Sequence, residues 1–174
     1  NAEFVWTIQN SKSQVDEKLD NYGHRAHLYF LMEYDKKPGM QRDTENGRPW
    51  KRFRPTDYLL GLWDRTKDRR YDESYKHVWY CNKIDSKLPG VAIGDTAVFI
   101  PGPGLDKNGV DQEGYWNSAK KASVLYSVFT HGDYSARTYP TMNKWIDNTR
   151  PNRQHTQGQR DYVLMRIADA YLIR

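Results

Sequence analysis

Cysteine occurs once in 174 residues, at Cys81, so neither an internal disulfide nor a multi-cysteine metal site can form. Cysteine usage therefore leaves the redox compartment open. No apolar run approaches the roughly 18 residues that cross a bilayer, and positions 1 to 9 lack the basic and apolar regions of a secretory signal. Aliphatic residues are sparse: hydrophobic residues make up 37% of the chain and mean hydropathy is −0.97. That is still enough apolar material for a core, which excludes disorder throughout, and the length fits one folding unit, residues 1–174.

Rings replace the missing aliphatics. Thirteen Tyr, six Trp and five Phe give an aromatic content of 14%, so much of the buried area must come from ring faces, with some rings left for a surface. The formal charge of +5 is concentrated: residues 41–70 hold nine Lys/Arg against five acids.

Periodicity marks a few elements. Phe4, Trp6 and Ile8 alternate with polar neighbours as in a half-buried strand, which predicts Trp6 in the core. Residues 10–25 read as a polar loop, and the apolar run 26–34 is too short to assign between strand and irregular chain. Residues 35–55, with Pro38, Gly39, Gly47, Pro49 and Pro55, form an extended surface connection. Thr56 then predicts an N-capped short helix that buries Leu59, Leu62 and Trp63. Tyr75 to Cys81 and Thr96 to Ile100 read as strands, the second inside a long Gly/Pro-rich loop over 85–114 of the kind that is functional or mobile. From Asp161 on, Leu164, Ile167, Ala168, Tyr171 and Leu172 fall on one helical stripe. That stripe stops in mid-pattern at Arg174, and the chain starts inside a strand pattern without Met, so the expectation is a piece of something longer.

Four segments, in order, resemble the C-terminal region of the SusD/RagB family of surface glycan-binding lipoproteins of Gram-negative bacteria. They are EFVWTIQ near the start, RPTDYLLGLWD with DRRYDESYKHVWY, TYPTMNKWID, and RDYVLMRIADAYLIR at the end. Segments 10–50 and 85–135 carry no such likeness. The resemblance implies a mainly α fold with long irregular loops and a few short strands, a fragment of a tetratricopeptide-like α-superhelix. In the last motif Ala168 and Ala170 would allow close helix contact, and Arg166 would pair with Asp169. The implied function is non-catalytic binding of an oligo- or polysaccharide. The parent lipoprotein would sit at the outer membrane and hand the glycan to a SusC-like TonB-dependent transporter. An alternative is a scaffold that contacts the transporter without binding sugar itself.

Saccharide rings present apolar C–H faces edged by hydroxyls, so their capture needs flat aromatic platforms bordered by planar polar groups. The aromatics that periodicity leaves outside the core are Trp50 between Arg48 and Arg52, Tyr80 before Asn82, and Tyr115 with Trp116 beside Asn117. The family's binding residues follow no fixed motif, so the resemblance assigns none of them. The run RPWKRFRP also suits nucleic acid, with Trp50 and Phe53 as stacking rings. No nucleic-acid-binding motif accompanies it, and no nucleic-acid partner is expected. The 22 carboxylates carry no recognisable hydrolase motif, so the expectation is a protein that is not an enzyme. No cofactor is expected either. His24 and His27 are a weak metal pair, and Asp106, Asn108 and Asp111 resemble a Ca²⁺ loop only superficially, because Gly109 is misplaced for one; a turn at Asn108 and Gly109 is the better reading, with a structural Ca²⁺ as the lesser alternative.

Overall fold

The computed structural model describes residues 4–8, 10, 23–158 and 160–173. Most of the polar stretch 10–25 lies outside them. Among the described residues the strands are β1 (Phe4–Ile8), β2 (Tyr75–Lys76), β3 (Val78–Tyr80), β4 (Thr96–Phe99), β5 (Ser127–Val128), β6 (Thr141–Met142) and β7 (Tyr162–Arg166). The helices are α1 (Ala26–Tyr29), α2 (Asp57–Gly61), α3 (Arg70–Ser74), α4 (Gln112–Tyr115), α5 (Ser118–Ala122) and α6 (Ile167–Leu172). Among the described residues no helix exceeds six residues, and most of those residues are loop. The expected mainly α, tetratricopeptide-like superhelix is therefore overturned. A helical solenoid needs long amphipathic helices in repeated pairs, and helices of one turn cannot supply that packing face.

The strands form three small sheets. β1 pairs antiparallel with β7, β2 antiparallel with β6, and β3–β4–β5 make a three-stranded sheet in which β5 runs parallel to β4. The main core lies on this last sheet. Trp79 of β3 and Ala97 and Val98 of β4 are fully buried against Leu31, Met32, Tyr34, Ile100 and Tyr139. Tyr34 stacks on Trp79 with ring centroids 4.9 Å apart and planes 15° from parallel, the offset geometry that aromatic pairs favour. Both buried phenols find carbonyls: Tyr34 Oη donates to Gly47 O at 2.5 Å and Tyr139 Oη to Leu31 O at 3.1 Å. Removing the Trp79 ring would cost about 3–5 kcal/mol by analogy with other large core deletions. A second, smaller core joins Leu60, Tyr71 and Tyr75.

Three local expectations need correction. Thr56 does cap α2, its hydroxyl accepting from Leu59 N–H at 3.1 Å, but the buried residue is Leu60, while Leu59 and Leu62 are exposed and Trp63 is half-buried. One turn of helix presents one side chain to the core, so a stripe at i, i+3 and i+4 has no room. Trp6 is 65% exposed, because β1 pairs only with β7, in a ribbon whose register slips on both sides of Trp6. The C-terminal stripe begins as β7, not helix: Tyr162 to Arg166 find a partner strand in β1, and tertiary pairing overrides the helical period. α6 starts only where Arg166 N–H donates to Asp169 Oδ2 at 2.9 Å, and Ala168 and Ala170 are exposed.

The second core is closed by an intimate loop contact. Arg65 is buried, its guanidinium 4.5 Å from the Tyr71 ring centroid and its Nη2 2.9 Å from Asp72. Gly102 passes over this pair with φ +85°, and a Cβ there would meet Tyr71 Oη at 2.7 Å and Arg65 Nη1 at 2.8 Å. Gly102→Ala is expected to lower stability by about 2 kcal/mol, through strain at positive φ and the displaced ring. Urea unfolding checks this, and an unchanged midpoint would show that the loop yields without cost.

Candidate aromatic and cationic binding surface

The residues singled out in the sequence separate into three places. Trp116 is only 8% exposed: its ring packs on Phe99, Tyr115 and Tyr126, and its Nε1 donates to Gln112 Oε1 at 3.2 Å. It is a packing residue, which corrects its candidacy as a platform. Asn117 caps α5, accepting from Lys120 N–H, and its amide donates to Gly114 O. Tyr115 beside it stays 47% exposed, with Lys120 Nζ 5.3 Å from its ring centroid.

Tyr80 is 56% exposed and shares with Asn82, Asp43, Asn46 and Lys76 a small cavity of about 180 Å³. Asn82, however, is a loop clip: its Oδ1 accepts from Gln41 N–H at 2.7 Å, and its amide donates to Gln41 O and the Asp43 carboxylate. Lys76 is likewise engaged, its Nζ donating to Asn46 Oδ1 at 2.6 Å and lying 4.6 Å from the Trp79 ring centroid; burial lowers its pKa. The polar groups of this cavity hold one another.

Trp50 belongs to something larger. Six rings form a continuous chain: Trp50 to Tyr29 at 5.7 Å between centroids, Tyr29 to Phe53 at 5.7 Å, Phe53 to Phe30 at 5.4 Å, Phe30 to Trp145 at 5.6 Å and Trp145 to Tyr162 at 5.2 Å. None of the six is a member of either buried core. Five are half-buried, and Phe53 is 53% exposed. Cations border the strip: Arg25 and Arg48 lie 5.8 and 5.9 Å from the Trp50 ring centroid, and Lys144 Nζ lies 5.0 Å from that of Trp145.

Backbone chemistry explains the assembly. α1 is one turn long and leaves carbonyls without helical partners. Segment 50–53 supplies donors: Trp50 N–H to Leu28 O at 2.9 Å, and Arg52 and Phe53 N–H to Tyr29 O at 2.9 and 3.0 Å. Lys51 lies in the left-handed region at φ 54°, which costs about 1 kcal/mol for a residue with a Cβ. The rings of Trp50 and Phe53 thereby both reach Tyr29, while Lys51 Nζ meets Glu33 Oε1 at 2.5 Å. Lys51, Arg52 and Arg54 line a separate open groove with Tyr134 and Ser135.

At the Trp145 end a cavity of about 250 Å³ opens, lined by His24, Lys144, Trp145, Arg160, Asp161, Val163 and Arg166. The His24 ring stands edge-on to both Trp145 and Tyr162. Arg160 is fixed by Nη1 donating to Ile146 O at 2.7 Å, and Asp161 Oδ1 accepts from Asn10 N–H at 2.9 Å. Beneath lies a buried polar layer. Asp147 accepts from Thr149 N–H and Oγ1 and from Arg160 N–H, and Arg150 donates from Nε to Asp147 O and from Nη2 to Thr44 O. His27 in this layer is 3% exposed; burial, reinforced by the Arg150 charge, pushes its pKa down to about 3, and burial lowers that of His24.

The sequence marks Trp50 and Arg48 of this surface; Arg52, expected beside Trp50, lines the separate groove instead. Tyr29, Phe30, Trp145, Tyr162, His24, Lys144, Arg160 and Arg166 were missed, and Phe53 was weighed only for nucleic acid. A signal was present: Trp50, Phe53, Trp145 and Tyr162 each lie within two positions of a Lys or Arg in the chain. The superficial Ca²⁺ loop is a turn, with Gly109 N–H donating to Asp106 O, Asp106 Oδ1 accepting from Asn108 and Val110 N–H, and Asp111 capping α4.

His27 makes stability depend on pH. Its folded pKa lies below its unfolded value near 6.5, so folding favours the neutral ring; that contribution is complete above pH 6.5 and is lost as pH falls toward 3. His27→Leu is expected to flatten the fall of the urea midpoint between pH 6 and 4 by up to about 1.4 kcal/mol per pH unit, the value for one proton. Equal slopes in the two proteins would remove His27 as the source.

Compared with models of protein families, with curated proteins and with solved structures, the chain gives no match.

Proposed function

We propose that the protein binds oligo- or polysaccharide without catalysing its breakdown, along the strip from Trp50 to Tyr162. The observation that carries this reading is a row of six contacting rings, outside both cores and edged by guanidinium and ammonium groups. A glycan needs apolar surface for its C–H faces and planar or charged donors for its hydroxyls, and the strip offers both. The SusD/RagB-like segments supply the setting in this proposal: capture at the outer membrane, beside a TonB-dependent transporter that takes the glycan onward.

Phe53→Ala and Trp50→Ala are each expected to weaken retention in polysaccharide-containing gels about tenfold, or about 1.4 kcal/mol, the range in which truncating a central aromatic falls. The exposed Phe53 makes the cleaner variant, because its loss leaves both cores intact. No retardation by any of a panel of polysaccharides, with transporter binding retained, would favour the scaffold role instead. Release of reducing ends would establish a hydrolase. Affinity for single-stranded DNA that falls steeply with salt would turn the same rings into a nucleic-acid surface.

A further inference from the structure

The cavity at the Trp145 end differs in charge from the rest of the strip. Three cationic side chains, Lys144, Arg160 and Arg166, line it against one carboxylate, Asp161. They come from separate parts of the chain: Lys144 from the turn that carries Trp145, Arg160 from the segment tied to Asp147, and Arg166 from the end of β7. Arg166 Nε lies 3.8 Å from Asp169. Arg160 is held by its bond to the Ile146 carbonyl, so part of the entropy cost of ordering a long cation is met before any ligand arrives. His24, the remaining titratable wall, has its pKa lowered by burial and is neutral at pH 7. The cavity is therefore net cationic, has an aromatic wall in Trp145, and continues the ring strip through the Trp145–Tyr162 stack.

A neutral sugar has no use for three cations around one cavity. A carboxylate or sulfate does, because charge-assisted hydrogen bonds from guanidinium and ammonium groups are shorter and stronger than neutral ones, and guanidinium matches both anions in a planar, two-pronged fashion. Building on the saccharide reading, we infer that this cavity receives an anionic substituent of the glycan, the carboxylate of a uronic acid or a sulfate ester, while the neighbouring rings take the sugar faces.

The test uses oligogalacturonate for the carboxylate, and dextran sulfate against plain dextran for the sulfate, each titrated calorimetrically into the whole chain. Tighter binding of at least one anionic ligand than of dextran is expected. Lys144→Gln and Arg160→Gln should each weaken it about tenfold, and added salt should weaken it further. Lys83→Gln/Lys87→Gln removes two exposed charges, neither of which lines a cavity described above, and should leave binding unchanged. Lys144 is exposed, so its variant keeps the test valid even if Arg160→Gln loosens the loop. The inference is overturned if the Lys144 variant binds as the parent does, or if the Lys83/Lys87 pair weakens binding equally, as for a diffuse polyanion effect. Retention of dextran alone would overturn it while leaving saccharide binding in place, and retention of no polysaccharide would overturn both.

Discussion

Peptide groups that no ladder satisfies must still find partners when they are buried, and in a chain made mostly of loops that requirement governs everything else. Here side chains meet it. Tyr34 and Tyr139 send phenol protons to carbonyls of distant loops, Thr141 Oγ1 accepts from Met32 N–H, and Arg150 donates to Asp147 O and Thr44 O. Each group has an apolar or extended body that packs and a polar tip that bonds, so one residue fills the core and fastens a loop. That double duty explains how a sequence poor in aliphatics reaches a packed interior. It also explains why the largest fully buried side chains, Trp79, Tyr34, Tyr71 and Tyr139, are rings.

The same economy shapes the surface. The carbonyls left at the end of α1 recruit the donors of segment 50–53, and the recruited segment brings Trp50 and Phe53 alongside Tyr29. The aromatic strip is thus a by-product of satisfying a short helix end, fixed by backbone bonds and not by a regular element. At its other end Trp145 rides on a turn whose next residues, Ile146 and Asp147, bind Arg160 through a carbonyl and a carboxylate. The cationic cavity and the strip share that joint.

What the chain made legible follows from the range of the interactions. Turn and cap chemistry is local, and Thr56 at the start of α2, the turn before Gly109 and the strand over Thr96 to Phe99 are all readable from neighbours. Helix against strand at the C-terminus was not, because the deciding partner, β1, lies at the opposite end of the sequence. The family likeness pointed to long helices, which the segments themselves do not form. Among the candidate rings, Trp50 was recognisable from its flanking arginines. Trp116 was not, since its burial depends on Phe99 of β4 and on Tyr126, neither adjacent to it in sequence. Asn82 and Asn117 looked like ligand-facing amides and are spent on backbone, which spacing alone cannot reveal.

The pairing of β1 with β7 carries a kinetic consequence. Phe4 faces Arg166 and Ile8 faces Tyr162 across nearly the whole sequence, so closing this ribbon carries the entropy of the largest loop in the molecule before any contact rewards it. The β3–β4 hairpin and its stacked rings can consolidate early from nearby residues. The ribbon, and with it the wall that Val163 gives to the cationic cavity, is expected to form late in refolding and to open early in unfolding.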